Sequence, residues 1–254
     1  FPCTIVSVIE VQNLQKSCGT LKAVDNISFH VSPGEIFGLL GPNGAGKTTT
    51  LRILSTLLKA DGGTATLNGL DVKKQSEEVR KTIGVVNGGM GLYDRLTGLE
   101  VLRYFGSLYS MSKVAVDKRV KDLDDLLHLG ATLNRRCGDF STGMKQKIVI
   151  ARAVLHDPSI IFFDEATNGL DVMARRAVLD FVKQYPDGKR TVIYSTHIMN
   201  EVEELCGRAA VIYGGKLIAE DTVAGLLEKT QTKNLEQAFF SLVENSGLAK
   251  EVTL

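Results

Sequence analysis

The sequence predicts an α/β chain built on a parallel sheet, with an antiparallel β subdomain near the N-terminus and an α-helical subdomain inserted in the middle. Three observations predict it. Short apolar runs such as "EIFGLL" (35–40), "SIIFFD" (159–164) and "TVIYST" (191–196) read as buried strands. Stretches of helical period separate such runs, and strands alternating with helices imply a parallel sheet covered on both faces. Between about residues 88 and 156 the alternation stops and the pattern is mainly helical.

Taken in chain order, Val6 to Val11 and Ile27 to Val31 alternate or run apolar like strands. "EIFGLL" is a buried strand ending in "GPNGAGK", after which "TTTLRILSTLL" has helical periodicity. "TATLNGLDV" reads as a hairpin with Asn68-Gly69 at its turn. "IGVV" (83–86) is a strand that runs into "VNGGMGLYD", where Gly88, Gly89 and Gly91 follow an apolar run. From Thr97 to Leu129 the apolar residues Leu99, Leu102, Phe105 and Leu108, then Val116, Val120, Leu123 and Leu127, fall at helical spacing. A helix over Met144 to Leu155 precedes the second strand-rich block, which closes with "RAAVIYGGKLIAE". The expected divisions are 1–87 (β subdomain and first part of the core), 88–156 (helical subdomain), 157–225 (second part of the core) and 226–254 (C-terminal helical extension).

Composition narrows the function classes. A net charge of +1 offers no basic footprint, so no nucleic acid partner is expected. No apolar run approaches the roughly 18–20 residues that cross a bilayer, so a membrane role must come through a partner. Cys3, Cys18, Cys137 and Cys206 are far apart, form no CxxC and read as free thiols in a reducing compartment. The opening "FPCTIVSV" lacks Met and a basic stretch and reads as a fragment end, not a signal peptide.

The chemistry concentrates in a few short motifs. "GPNGAGKT" fits G-x-x-x-x-G-K-[ST]: Gly41, Pro42, Asn43, Gly44, Ala45, Gly46, Lys47 and Thr48, with Thr49 next on the helix. Glycines let backbone N–H groups turn toward phosphates, and the helix that follows adds its positive end. Lys47 would reach the β- and γ-phosphates of a bound nucleotide, and the Thr48 hydroxyl would bind Mg²⁺. "IIFFDE" supplies the second metal ligand, Asp164, at a strand's carboxyl end, and Glu165 beside it is placed to activate a water. Together these predict a P-loop NTPase (RecA-like) core.

Three more pieces follow. "DFSTGMKQK" puts Ser141 and Gly143 at a helix N-terminus, a second anion-binding end with no P-loop of its own. "NGLD" ends in Asp171, and "YSTH" ends a strand with His197. Each piece alone has a plainer reading: an acidic pair or a serine can simply cap a helix, and a histidine at a strand end is often structural.

Together, residues 9 to 225 resemble the nucleotide-binding subunit of ATP-binding-cassette (ABC) transporters. The resemblance implies that "GPNGAGKTT" is Walker A, "IIFFDE" is Walker B with its catalytic glutamate Glu165, and "FSTGM" stands for the LSGGQ signature. Asp171 becomes the D-loop aspartate and His197 the switch histidine that senses the γ-phosphate. It also implies a head-to-tail homodimer or heterodimer, in which the signature of one protomer closes over ATP held by the P-loop of the other. "STGMKQK" and the tail "NLEQAFFSLVE", with Leu235, Ala238, Phe239 and Leu242 on one face, look like the sodium and multidrug export branch. The implied role is an ATPase on the inner, cytoplasmic face of the cell membrane. It would drive a separate multi-span permease that exports sodium or a drug-like substrate. A soluble ABC-type ATPase of the iron–sulfur assembly kind is the alternative.

Two departures stand out. Cys18 occupies the place where the family usually has an aromatic residue that stacks on adenine. Gly88 occupies the place of the Q-loop glutamine, so the glycines read as a hinge from which that side chain is missing.

Overall fold

The computed structural model describes residues 7–248. The opening "FPCTIV" lies outside the described residues, and with it the reading of the fragment end, of Cys3 and of Val6 as the first strand residue.

The first half builds one antiparallel sheet and starts a second, parallel one. Its elements are β1 (Ile9–Cys18), β2 (Leu21–Val31), β3 (Ile36–Leu40), α1 (Lys47–Leu54), β4 (Gly62–Leu67), β5 (Leu70–Asp71), α2 (Ser76–Thr82) and β6 (Ile83–Asn87). The antiparallel sheet has the order β2-β1-β4-β5. Both of its first strands are longer than the apolar periodicity suggests. Their pairing slips between Val11 and Leu14 and again on either side of Lys16, and Asn13 (φ 49°) and Asn26 (φ 59°) take left-handed backbone. Each irregularity shifts the inward face by a residue and breaks the alternation. The β4–β5 hairpin turns on Asn68 (φ 51°) and Gly69 (φ 77°), the pair of positive φ angles that a type I′ turn requires.

The second half contributes α3 (Gly98–Leu108), α4 (Lys113–Leu127), α5 (Thr142–Val154), β7 (Ile160–Asp164), α6 (Val172–Gln184), β8 (Thr191–Thr196), α7 (Met199–Leu205), β9 (Arg208–Tyr213), β10 (Lys216–Thr222), α8 (Val223–Thr230) and α9 (Leu235–Asn245). Local chemistry starts the helices. Thr97 and Glu100 form a reciprocal capping box at α3, and Ser112 caps α4. The six-stranded sheet runs β10-β9-β3-β8-β7-β6. All its pairs are parallel except β9–β10.

Alternate residues of these strands feed two cores. Phe37, Leu39, Ile160, Phe162 and Ile193 pack with α1 and the antiparallel sheet. Ile161, Phe163, Val192 and Tyr194 pack on the other face with the helices of the middle of the chain. In α9 the buried positions are Leu235, Ala238, Phe239 and Val243, while Leu242 is half-buried. The expected stripe therefore holds at Leu235, Ala238 and Phe239, and only its last buried position passes from Leu242 to Val243. The parallel strands β3, β6, β7 and β8 all end at the same edge, which brings Gly41, Gly88, Glu165 and His197 together.

Candidate nucleotide site

The loop after β3 is shaped by two glycines that admit no side chain. A Cβ on Gly41 would overlap the Ile212 carbonyl, and one on Gly46 (φ 108°) would overlap the Ala23 carbonyl. The β9–β10 turn braces the loop from outside, Gly215 N–H donating to the Ala45 carbonyl at 3.0 Å. Asn43 and Gly44 are exposed at the tip, while Pro42, Thr48 and Thr49 are half-buried. Lys47 is 3% exposed. Its Nζ donates to the Gly41 and Pro42 carbonyls at 2.8 and 3.0 Å. The ammonium thus sits inside the curve of its own loop.

Asp164 ends β7 against this loop. Its Oδ1 accepts from Thr48 Oγ1 and from Ser195 Oγ, both at 3.1 Å. Burial pushes the Asp164 carboxyl above the usual carboxylate range; the two hydroxyls oppose that rise, and neighbouring Glu165 adds to it. No helix begins at Asp164 or Glu165, so neither residue serves as a helix cap.

Glu165 takes left-handed backbone (φ 51°), a conformation that non-glycine residues rarely adopt without a surrounding that enforces it. Its N–H donates to the Ser195 carbonyl at 2.9 Å. Its carboxylate lies 3.3 Å from Lys47 Nζ and 3.5 Å from His197 Nδ1, and accepts from Asn168 Nδ2 at 2.6 Å. His197 Nδ1 is buried and makes no hydrogen bond. A carboxylate held between an ammonium and an imidazole, beside a second carboxylate bound by hydroxyls, can take a proton while leaving the Lys47 ammonium to face anionic oxygens.

Ser141, Gly143 and Asp171 lie elsewhere. They line a cleft of about 740 Å³ between α4, α5 and α6 that no residue of the 41–49 loop lines. Ser141 Oγ accepts from Met144 N–H at 3.2 Å and Asp171 Oδ1 from Ala174 N–H at 2.9 Å, so both cap helices. Cys18 is exposed beside the β1–β2 turn, paired with Leu21.

Gly88 differs from its reading as a free hinge. Its N–H donates to the Asp164 carbonyl at 2.9 Å, and a Cβ there would lie 2.7 Å from the Glu165 carbonyl oxygen. The position is one of close backbone approach. Only Gly89 (φ 79°) needs glycine for its backbone angle, and Gly91 is open on all sides.

Asn168 and Ser195 lie inside "NGLD" and "YSTH" without being singled out there, and Glu201 lies outside every motif. Glu201 is 1% exposed. It accepts from Thr167 Oγ1 (2.8 Å), Tyr194 OH (3.0 Å) and Thr196 Oγ1 (2.9 Å), and pairs with Arg175 Nε at 2.9 Å.

The chain is similar to known proteins. The family model described as ABC transporter matches residues 24–168. The chain is 42% identical over 222 residues to the ABC transporter ATP-binding protein NatA of Bacillus subtilis (strain 168), across 87% of this chain and 90% of that protein. It is 38% identical over 221 residues to the Nod factor export ATP-binding protein I of Paraburkholderia xenovorans (strain LB400), across 87% of this chain and 73% of that one. Among solved structures it is similar to the ATP-binding subunit of an ABC transporter, with a TM-score of 0.85 and 27% identity over 93% of this chain and 100% of the other. It is also similar to a dimeric, post-hydrolysis ATP-binding cassette bound to ADP and Pi, with a TM-score of 0.75 and 25% identity, covering 84% of this chain and 98% of that one. With its phosphate-type loop, acidic strand end and capped helical cleft in place, the chain belongs to the ABC transporter family, among its ATP-binding proteins.

Proposed function

We infer that this chain hydrolyses ATP to drive export through a separate multi-span membrane chain. The observation that carries the reading is the Glu165 carboxylate, held within 3.5 Å of both Lys47 Nζ and His197 Nδ1 and next in sequence to Asp164. With ATP in the 41–49 loop, Lys47 would exchange its carbonyl partners for β- and γ-phosphate oxygens. Glu165 would accept the proton of the attacking water, with Asn168 fixing its rotamer, and His197 would face the γ-phosphate. Thr48 and Asp164 offer the hard oxygen donors that suit Mg²⁺. No group of three or more His, Cys, Asp or Glu able to hold a metal occurs among the described residues, which fits an ion that takes its other ligands from phosphate and water. When bound, that ion neutralises phosphate charge.

In this reading Ser141, Gly143 and Asp171 serve a second protomer, identical or related, whose ATP they cover head to tail. Residues 88–156 form the helical arm that carries Ser141 and Gly143, between the two parts of the core, and Asp171 joins them from the start of α6 in the second part. No helix among the described residues is long and apolar enough to cross a membrane, so the chain would work at the inner face of the membrane on its partner. Relatives whose names concern transport and export favour this role over iron–sulfur assembly.

The test is the Glu165→Gln variant, expected to keep ATP binding while single-turnover hydrolysis falls by roughly 10²–10⁴. Lys47→Ala should lose binding instead. Capture from solubilised membranes should retain a multi-span protein. Near-native turnover in the glutamine variant would sink the assignment of Glu165, and capture without a membrane chain would sink the exporter reading.

A further inference from the structure

The carboxyl ends of β6, β7 and β8 carry three polar residues in one register row. Asn87 pairs with Asp164, and Asp164 pairs with Ser195. Neighbouring strands lie about 4.8 Å apart, and laterally paired residues of a parallel sheet point to the same face. The face is fixed by the residues upstream. Ile83 and Val85 of β6, Ile160 and Phe162 of β7 and Ile193 of β8 all pack into the core that contains α1. Val86, Phe163 and Tyr194 point the other way. Asn87, Asp164 and Ser195 therefore continue the α1 side of the sheet, where Lys47 and Thr48 begin that helix.

Two members of this row are satisfied. Ser195 Oγ and Thr48 Oγ1 both donate to Asp164 Oδ1. Asn87 Oδ1, in contrast, is buried with no hydrogen-bond partner. A buried acceptor left alone is unfavourable and rare, and it marks a place where a partner from outside the chain, an ordered water or an ion, completes the contact. No cationic side chain takes it, since Lys47 is committed to the loop carbonyls and Glu165. Gly88, the next residue, contributes only backbone.

We propose that the Asn87 carboxamide oxygen belongs to the divalent-cation site, joining Thr48 Oγ1 and Asp164 as the third protein oxygen that faces the ion accompanying ATP. The inference rests on the nucleotide reading above. An amide oxygen is a hard, neutral donor of the kind that Mg²⁺ and Mn²⁺ accept. It adds a ligand beside Asp164 without adding a further negative charge to the row.

The experiment is ATP binding by the full chain, measured with a fluorescent ATP analogue in EDTA and then in Mn²⁺, with bound Mn²⁺ counted by electron paramagnetic resonance. Asn87→Ala should bind the analogue in EDTA within about twofold of the native chain, while its Mn²⁺ affinity in the nucleotide complex falls about 10–100-fold, the usual range for losing a group that supports a metal site. Asn87→Asp, which keeps an oxygen in place, should bind Mn²⁺ at least as tightly as the native chain. An alanine variant whose Mn²⁺ affinity stays within twofold of native overturns the proposal and leaves the nucleotide reading standing. A native chain that binds no analogue in either condition overturns both. If the alanine variant misfolds, as weak binding in EDTA would show, the aspartate variant decides. Native or tighter Mn²⁺ binding supports the role, and loss of Mn²⁺ binding with EDTA binding intact refutes it.

Discussion

Replacing Gly88, Gly89 and Gly91 one at a time by alanine separates three reasons for a glycine. At Gly88 the new Cβ would lie 2.7 Å from the Glu165 carbonyl oxygen, where ordinary contact begins at 3.4 Å. One backbone must then move by about 0.7 Å, the difference between those two distances. The Glu165 peptide is held by its N–H bond to the Ser195 carbonyl and by Asn168 N–H on its own carbonyl, so the strain enters the residue proposed above as the general base. Overpacking of this kind costs about 1–3 kcal/mol, and displacing a reacting group by most of an ångström lowers turnover by roughly 10²-fold. At Gly89 no atom lies within 4 Å, but φ is 79°, so alanine costs about 1–2 kcal/mol through backbone strain alone. At Gly91 neither constraint applies, and alanine should fall within about 0.5 kcal/mol of neutral. Thermal unfolding reads the stability series at about 2–4 °C per kcal/mol, and single-turnover ATP hydrolysis reads the site. The expected order is Gly91→Ala unchanged, Gly89→Ala less stable with near-native chemistry, and Gly88→Ala impaired in both. A Gly88→Ala chain that melts and hydrolyses like Gly91→Ala would refute the close-approach argument.

Three further outcomes follow from described groups. Burial raises the Asp164 carboxyl, so its contribution to stability is present below about pH 3.8, the usual Asp value, and is lost as pH rises through the raised folded value; at neutral pH it is a cost. Asp164→Asn should therefore melt above the native chain at pH 7 without nucleotide or metal, with the gain shrinking toward pH 4; a lower melting point at pH 7 would contradict it. Glu201→Ala strands three hydroxyls and one side of Arg175 and should cost about 3–5 kcal/mol in equilibrium denaturation, with Glu201→Gln less than half of that; native midpoints in both would refute the network's role. Of the three cysteines among the described residues, Cys18 is exposed, whereas Cys137 and Cys206 are buried with thiols pushed upward by desolvation; in a Cys3→Ser background a maleimide should label Cys18 quickly and Cys137 and Cys206 only on unfolding.

Much of the site was legible because its signals are local. The loop motif, the acidic pair after an apolar run and a serine opening a helix each occupy a few consecutive residues, and the structure places the first two against one sheet edge. What the sequence hid depends on contacts between distant segments. The pairing slips of β1 and β2 erase alternation exactly where it would have been read; the Gly88 contact joins β6 to the end of β7; Ser195 meets Asp164 only through strand register. Asn87 is the sharpest case. It reads as an ordinary polar residue at a strand end until the register of β6 against β7 sets it beside Asp164.

The cleft holding Ser141, Gly143 and Asp171 stands apart from the loop that holds Lys47, and this has a meaning in genetics. If each composite site takes its loop from one copy and its cap from another, the effect of two lesions depends on whether they share a chain. A Lys47→Ala copy paired with a Ser141→Arg copy leaves one sound site, built from the second copy's loop and the first copy's cap. The same two substitutions placed in one chain, paired with an undamaged copy, leave none. In dimers of defined composition, such as two cassettes joined in one polypeptide, the two lesions should therefore complement in trans and fail in cis.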